Sequence, residues 1–169
     1  MPERVLITIG TNVARETNLS RAVRGLASYP GVRVVAVSPV YEAPAVGGTR
    51  PQPDFYNAAV LLETELTPAE LREALRLLEA GLGRVRDADR FAPRPIDLDI
   101  AFFGDRVFDL AGRHIPDPDV LRYPHLAVPL ADIAPDWRHP ETGQTLADIV
   151  AQQRATYGEF PLRRVAVKI

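Results

Sequence analysis

Cysteine is absent from this chain of 169 residues. A disulfide scaffold, a zinc–thiolate site and a thiol nucleophile are therefore excluded. Histidine is scarce: only His114, His125 and His139 occur, too few for a His-rich metal site. Lysine is reduced to Lys168, so 19 of the 20 basic side chains are arginine. No apolar run exceeds a few residues, far short of a membrane span. The start, Met1-Pro2-Glu3-Arg4, lacks the charged-then-apolar pattern of a signal segment. The expectation is a cytoplasmic protein that does not engage membranes. Neither sign of charge dominates: the formal net charge is −2, which argues against a nucleic-acid binder.

What is present suits one globular domain over residues 1–169, with 46% hydrophobic and 25% charged residues. A chain of this length buries roughly two thirds of its unfolded surface and needs no covalent staple. Sixteen prolines punctuate it. Residues 43–53, 84–95 and 115–124 read as loops, each carrying two or three of them. The arginine bias has two readings, genome composition or phosphate recognition, because guanidinium forks match phosphate oxygens.

Regular elements fall between the loops. Val5 to Ile9 is a β-branched run ending at Gly10 and reads as a buried strand. Asn18 to Tyr29 has Leu19, Ala22, Val23 and Leu26 at helical spacing, and Pro30-Gly31 stops it. Strands are predicted over 32–41, 55–65, 97–103 and 106–110, the last two joined by a Gly104-Asp105 turn. Thr67-Pro68-Ala69-Glu70 is a capping-box start for a helix with Leu71, Ala74, Leu75, Leu78 and Leu82 on one stripe. Shorter helices are expected over 127–134 and from Thr145, which has Asp148 three residues on, and residues 162–169 alternate like an edge strand. The order predicts an α+β sandwich: a largely antiparallel sheet with two helices on one face.

Three local features carry chemistry. Asp97 and Asp99 share one face of a strand, roughly 7 Å apart, while Leu98, Ile100 and Phe102 point the other way. Aspartate disfavours strands, so the pair reads either as a solvated edge or as hard-oxygen ligands. Mg²⁺ is commonly held by one or two carboxylates together with substrate phosphates. Just upstream, Arg84, Arg86, Arg90 and Arg94 surround Asp87 and Asp89, either a self-neutralising loop or a phosphate-binding one. Finally, Asn57 enters a strand behind Phe55 and Tyr56. It reads as a turn residue beside core aromatics, or as a donor–acceptor pair and stacking face for a planar heterocycle.

With these residues in place, the sequence resembles the 6-hydroxymethyl-7,8-dihydropterin pyrophosphokinase family of folate biosynthesis. The likeness rests on Ile9 to Asn12, Pro53 to Val60, Gly83 to Arg86, Pro93 to Ile100 and Ile133 to Trp137, and covers about residues 4–152. It implies a ferredoxin-like fold and transfer of a pyrophosphoryl group from ATP to the pterin hydroxymethyl group, with AMP leaving. It implies two Mg²⁺ ions on Asp97 and Asp99, and catalytic roles for Arg84, Arg94 and Asp97. ATP contacts are implied for Glu79, Arg84, Arg86, Arg90, Phe91 and Arg94, and pterin contacts for Pro44, Phe55, Asn57 and His125. The partners implied are small molecules only, and a monomer is expected. Residues 153–169 form a tail outside the likeness.

The segment from Pro116 to His125 departs from the family pattern, which usually has Pro-His-Pro-Arg, then an Arg and a Phe. Asp117 replaces the His and Asp119 the basic residue, while Tyr123 stands at the later Arg and His125 at the Phe. The expectation is weaker triphosphate binding, with Arg122 as the substitute cation. A homologue with an altered alcohol substrate, or a non-catalytic nucleotide- or pterin-binding protein, remain the alternatives at this point.

Overall fold

The computed structural model describes residues 1–45, 53–83 and 96–167. In chain order the elements are β1 (Glu3–Thr11), α1 (Arg15–Ser28), β2 (Val32–Val37), β3 (Val40–Ala43), β4 (Phe55–Thr64) and α2 (Pro68–Gly81). Then come β5 (Asp97–Phe103), β6 (Phe108–Leu110), β7 (Arg113–Ile115), a 3-10 turn (Pro118–Leu121), α3 (Pro124–Ile133), α4 (Leu146–Tyr157) and β8 (Arg163–Val165). The main sheet runs β5-β1-β4-β3-β8, with β2 also on β4, and every pairing is antiparallel.

The sheet is covered on both faces. Val5, Ile7, Ile9, Val60 and Leu62 pack beneath α1 and α2, meeting Leu19, Leu26, Leu71 and Leu75. Leu6, Ala59, Leu61, Ala101 and Phe102 pack beneath α3 and α4, meeting Ala127, Leu130, Leu146 and Ile149. The α+β antiparallel class holds, with a second helical layer added to the single one expected. β1 is apolar at consecutive positions because both of its faces are buried.

Both capping boxes form. Thr67 accepts from the Glu70 amide at 3.2 Å while Glu70 accepts from the Thr67 amide at 2.9 Å. Thr145 and Asp148 exchange the same bonds at 3.1 and 3.2 Å. Three other expectations are corrected. α1 begins at Arg15, three residues early, because Asn18 sits inside its first turn and donates to the Val13 carbonyl at 2.7 Å. The 32–41 strand breaks at Ser38-Pro39, since Pro39 has no N–H for the ladder. Ser38 replaces the lost ladder bond with its hydroxyl, which accepts from the Ala59 amide at 2.8 Å. The 106–110 segment does not return along β5. Its Phe108–Leu110 portion pairs with β7 around Ala111 and Gly112, both at positive φ, the tight hairpin turn that matches strand twist.

The alternation along β5 also changes partway. Leu6 faces Phe102 and Ile7 faces Ile100, so Ala101 is an extra residue in a bulge. Phe102, expected beside Leu98 and Ile100, therefore joins the α3–α4 side, where its ring meets Trp137 and His139. Phe103 takes the α1–α2 side. The tail expectation holds at Arg163–Val165, which pairs with β3 at the sheet edge.

Candidate active site

β4 and β5 both run antiparallel to β1, so their N-terminal ends lie beside the C-terminal end of β1. Asn57 and Asp97 flank Gly10 from opposite sides, and Asp99 pairs with Thr8. These side chains emerge on the α3–α4 face, where His125 and Leu126 from the first turn of α3 line the opening beside them. The result is an open cleft of about 110 Å³. It is lined by Gly10, Pro44, Phe55, Asn57, Asp97, Asp99 and His125. Six residues singled out from the sequence thus meet in one place. Gly10 keeps the floor open, since a methyl group there would sit 3.6 Å from both Asn57 Oδ1 and the Phe55 ring.

Asn57 is 5% exposed, and its Nδ2 donor is buried without a hydrogen-bond partner. An orphaned buried donor costs about 1–3 kcal/mol, so its persistence on a cleft wall points to a ligand acceptor. His125 faces the same cleft with its ring 5.3 Å from that of Tyr123. Burial pushes its pKa down to about 4, so the imidazole is neutral around pH 7.

Asp99 is held well above the usual carboxylate range, first by burial and then by the Asp97 charge beside it. Two guanidinium groups oppose that shift: Arg113 Nη1 lies 3.1 Å and Arg76 Nη2 3.6 Å from Asp99 Oδ1. Among the described residues no group of three or more His, Cys, Asp or Glu side chains is arranged to hold a metal ion. A dication on Asp97 and Asp99 thus needs oxygens from a ligand, which fits Mg²⁺ shared with phosphates. The cations already drawn to Asp99 show that the carboxylate pair calls for positive charge.

Behind β5 the chain fixes this geometry. Glu79 is 2% exposed, and its Oε2 accepts from the Leu98 amide at 2.8 Å. Arg76 bonds Glu79 at 2.8 Å and donates to the Leu98 carbonyl at 3.2 Å. The free edge of β5 is thereby closed by side chains from α2, one residue from each aspartate. Glu79, expected near the nucleotide, is observed as this clip. Arg84, Arg86, Arg90, Phe91 and Arg94 lie outside the described residues.

Asp99 also lines a second, narrower cleft on the α2 side, with Arg72, Leu75, Arg76, Leu110, Arg113 and His114. The Nε atoms of Arg72 and Arg76 are buried without partners. His114 lies between Asp109 and Glu141, 2.9 Å from each, and these carboxylates raise its pKa, Glu141 most. The sequence reading missed Arg72, Arg76 and Arg113. The Arg76–Glu79 spacing of one helical turn was a usable signal for Arg76. Arg113 had none without the β6–β7 hairpin. Arg122, expected as the substitute cation, has a side chain that is 69% exposed and 3.8 Å from Asp119. Asp117 is accounted for locally, since it caps the 3-10 turn by accepting from the Asp119 amide at 3.0 Å.

No helix among the described residues is long and apolar enough to cross a membrane. Residues 6–135 match the family model of 7,8-dihydro-6-hydroxymethylpterin-pyrophosphokinase (HPPK). Among similar proteins is a 2-amino-4-hydroxy-6-hydroxymethyldihydropteridine pyrophosphokinase from Synechocystis, 40% identical over 82% of this chain and 70% of that protein. One of the same name from Pseudomonas aeruginosa is 38% identical over 89% of this chain and 92% of that protein. The fold matches a crystal structure of Plasmodium falciparum HPPK-DHPS with a TM-score of 0.76 at 13% identity. That match spans 99% of this chain but only 47% of the longer one. The chain therefore belongs to the 7,8-dihydro-6-hydroxymethylpterin-pyrophosphokinase family.

Proposed function

We propose that this protein transfers the terminal pyrophosphoryl group of ATP to the hydroxymethyl oxygen of 6-hydroxymethyl-7,8-dihydropterin, releasing AMP. The observation that carries the reading is the unpaired, buried Asn57 amide beside Phe55 and the Asp97–Asp99 pair in a single cleft. A pterin is flat and edged with donors and acceptors. Asn57 meets that edge with both kinds of atom, Phe55 stacks on one face, and neutral His125 covers the other. Pro44 closes the rim.

The triphosphate lies across Asp99 between the two clefts, with the nucleoside on the Arg72–Arg76–Arg113 side. Asp97 and Asp99 would hold Mg²⁺ ions shared with the phosphates, two being the expected number, and that charge neutralises the triphosphate for attack. The pterin hydroxyl oxygen forms its bond to the β-phosphorus, and the bond to the oxygen bridging the α and β phosphorus atoms breaks. Asp97 stands in the cleft to accept the hydroxyl proton. Arg84 and Arg94 are assigned to the phosphates, with Arg86, Arg90 and Phe91 around the nucleotide, following the family pattern. Glu79 acts through β5, holding both aspartates in register. Nucleotide and pterin suffice as partners, and we read the chain as a monomer.

Incubation with Mg-ATP and the pterin, followed by chromatography, tests this. AMP forming only when pterin and Mg²⁺ are both present is the expected result. Absence of pterin-dependent AMP overturns the proposal.

A further inference from the structure

Arg113 occupies an unusual position. It follows Gly112 at the β6–β7 turn, and its side chain is half exposed, yet its guanidinium spans two carboxylates from different elements. Nη1 lies 3.1 Å from Asp99 Oδ1 and Nη2 lies 3.5 Å from Asp117 Oδ2. The two anchors differ in kind. Asp117 is 5% exposed, its backbone amide donates to the Ala101 carbonyl at 2.9 Å, and its other oxygen caps the 3-10 turn. Asp99, in contrast, lines both clefts.

We infer that Arg113 is a resident counter-cation of Asp99 that yields this carboxylate when the metal–nucleotide complex binds and then contacts the phosphates, held in place by Asp117. The inference rests on the proposed function, which puts a dication at Asp99. A dication on Asp99 neutralises the charge that holds the guanidinium there and repels it at short range, so the Arg113 contact weakens when the metal arrives. Arg113 then loses its first anchor and keeps its second. Its long, partly exposed stem leaves the fork within the cleft that also holds Arg72 and Arg76. Asp117 is thus a positioning residue, and the arginine fork suits phosphate oxygens. A merely structural Arg113 would tie the hairpin to β5 in every state.

Calorimetry on the full chain separates the two roles. Mn²⁺ alone probes the carboxylate pair, and the Mg²⁺ complex of α,β-methylene-ATP probes the nucleotide site. Arg113→Gln is expected to bind Mn²⁺ about fivefold more tightly, because the nearer of the two cations on Asp99 is gone while Arg76 remains. The same variant is expected to bind the nucleotide analogue about tenfold more weakly. Arg113→Lys keeps the charge but cannot span both carboxylates, and should move both constants in the same directions by less. Should the glutamine variant fail to fold, the lysine variant carries the test. Asp117→Asn should weaken nucleotide binding without tightening Mn²⁺. Opposite movements of the two constants support the inference. Constants that fall together, or do not move, overturn it while leaving the proposed function standing. A wild-type protein that binds neither probe overturns the proposed function, and this inference with it.

Discussion

His125 offers a quantitative test of how the cleft treats a polar ring. Burial lowers its pKa from 6.5 to about 4, with the Asp119 charge opposing only in part. The unfolded chain takes up a proton near pH 6.5, whereas the folded protein resists until about pH 4. The depressed value therefore contributes stability that is fully present above the unfolded pKa and is lost as pH falls through that window. At 1.36 kcal/mol per unit, the loss relative to a non-titrating residue reaches about 2 kcal/mol near pH 5. His125→Phe keeps a ring in the cleft and removes the proton site. Urea unfolding of both proteins at about pH 7.5 and about pH 5 isolates this contribution from the other titrating groups. The stability of the variant relative to wild type should improve by about 2 kcal/mol on acidification. A difference that stays constant with pH would mean that the ring titrates normally in solvent, and the stacking role assigned to a neutral imidazole would fall.

Three further outcomes follow from the cleft geometry. Asp97→Asn and Asp99→Asn should each reduce kcat by about a hundredfold or more, the scale of losing one electrostatic stabiliser, and near-normal turnover in both would reduce the pair to a solvated strand face. Asn57→Ala should weaken pterin binding by about tenfold or more, measured by fluorescence titration, while leaving the melting temperature level or higher because an orphaned donor is removed. Glu79→Ala breaks a buried pair with Arg76 and frees the edge of β5. A stability loss of about 3 kcal/mol in denaturant unfolding is expected, and a loss under about 1 kcal/mol would contradict the clip.

Much of this architecture was legible because local chemistry and tertiary demand agree. The capping boxes at Thr67 and Thr145 need only their own four residues, and both form as read. The placement of Pro44, Phe55, Asn57, Asp97, Asp99 and His125 in one cleft followed from strand alternation and the family likeness together. What failed depended on which strands pair, and in what register. The Ala101 bulge is set by how β1 and β5 pair, so Phe102 and Phe103 could not be assigned to faces from β5 alone. The Arg106 to Leu110 segment looked like a return along β5, but residues 113–115 supply a nearer partner across a two-residue turn. Arg113 escaped notice for the same reason, since only that hairpin brings it to Asp99 and Asp117.

The central claim is that the bond broken in ATP joins the bridging oxygen to the β-phosphorus, so that two phosphorus atoms travel together to the pterin. Turnover of ATP carrying a phosphorus label at the β position, with the dihydropterin as acceptor, reads this directly. The account predicts that the β label moves wholly to the pterin product and that the nucleotide released is AMP. A β label retained in ADP, with only the γ-phosphorus on the pterin, would contradict it.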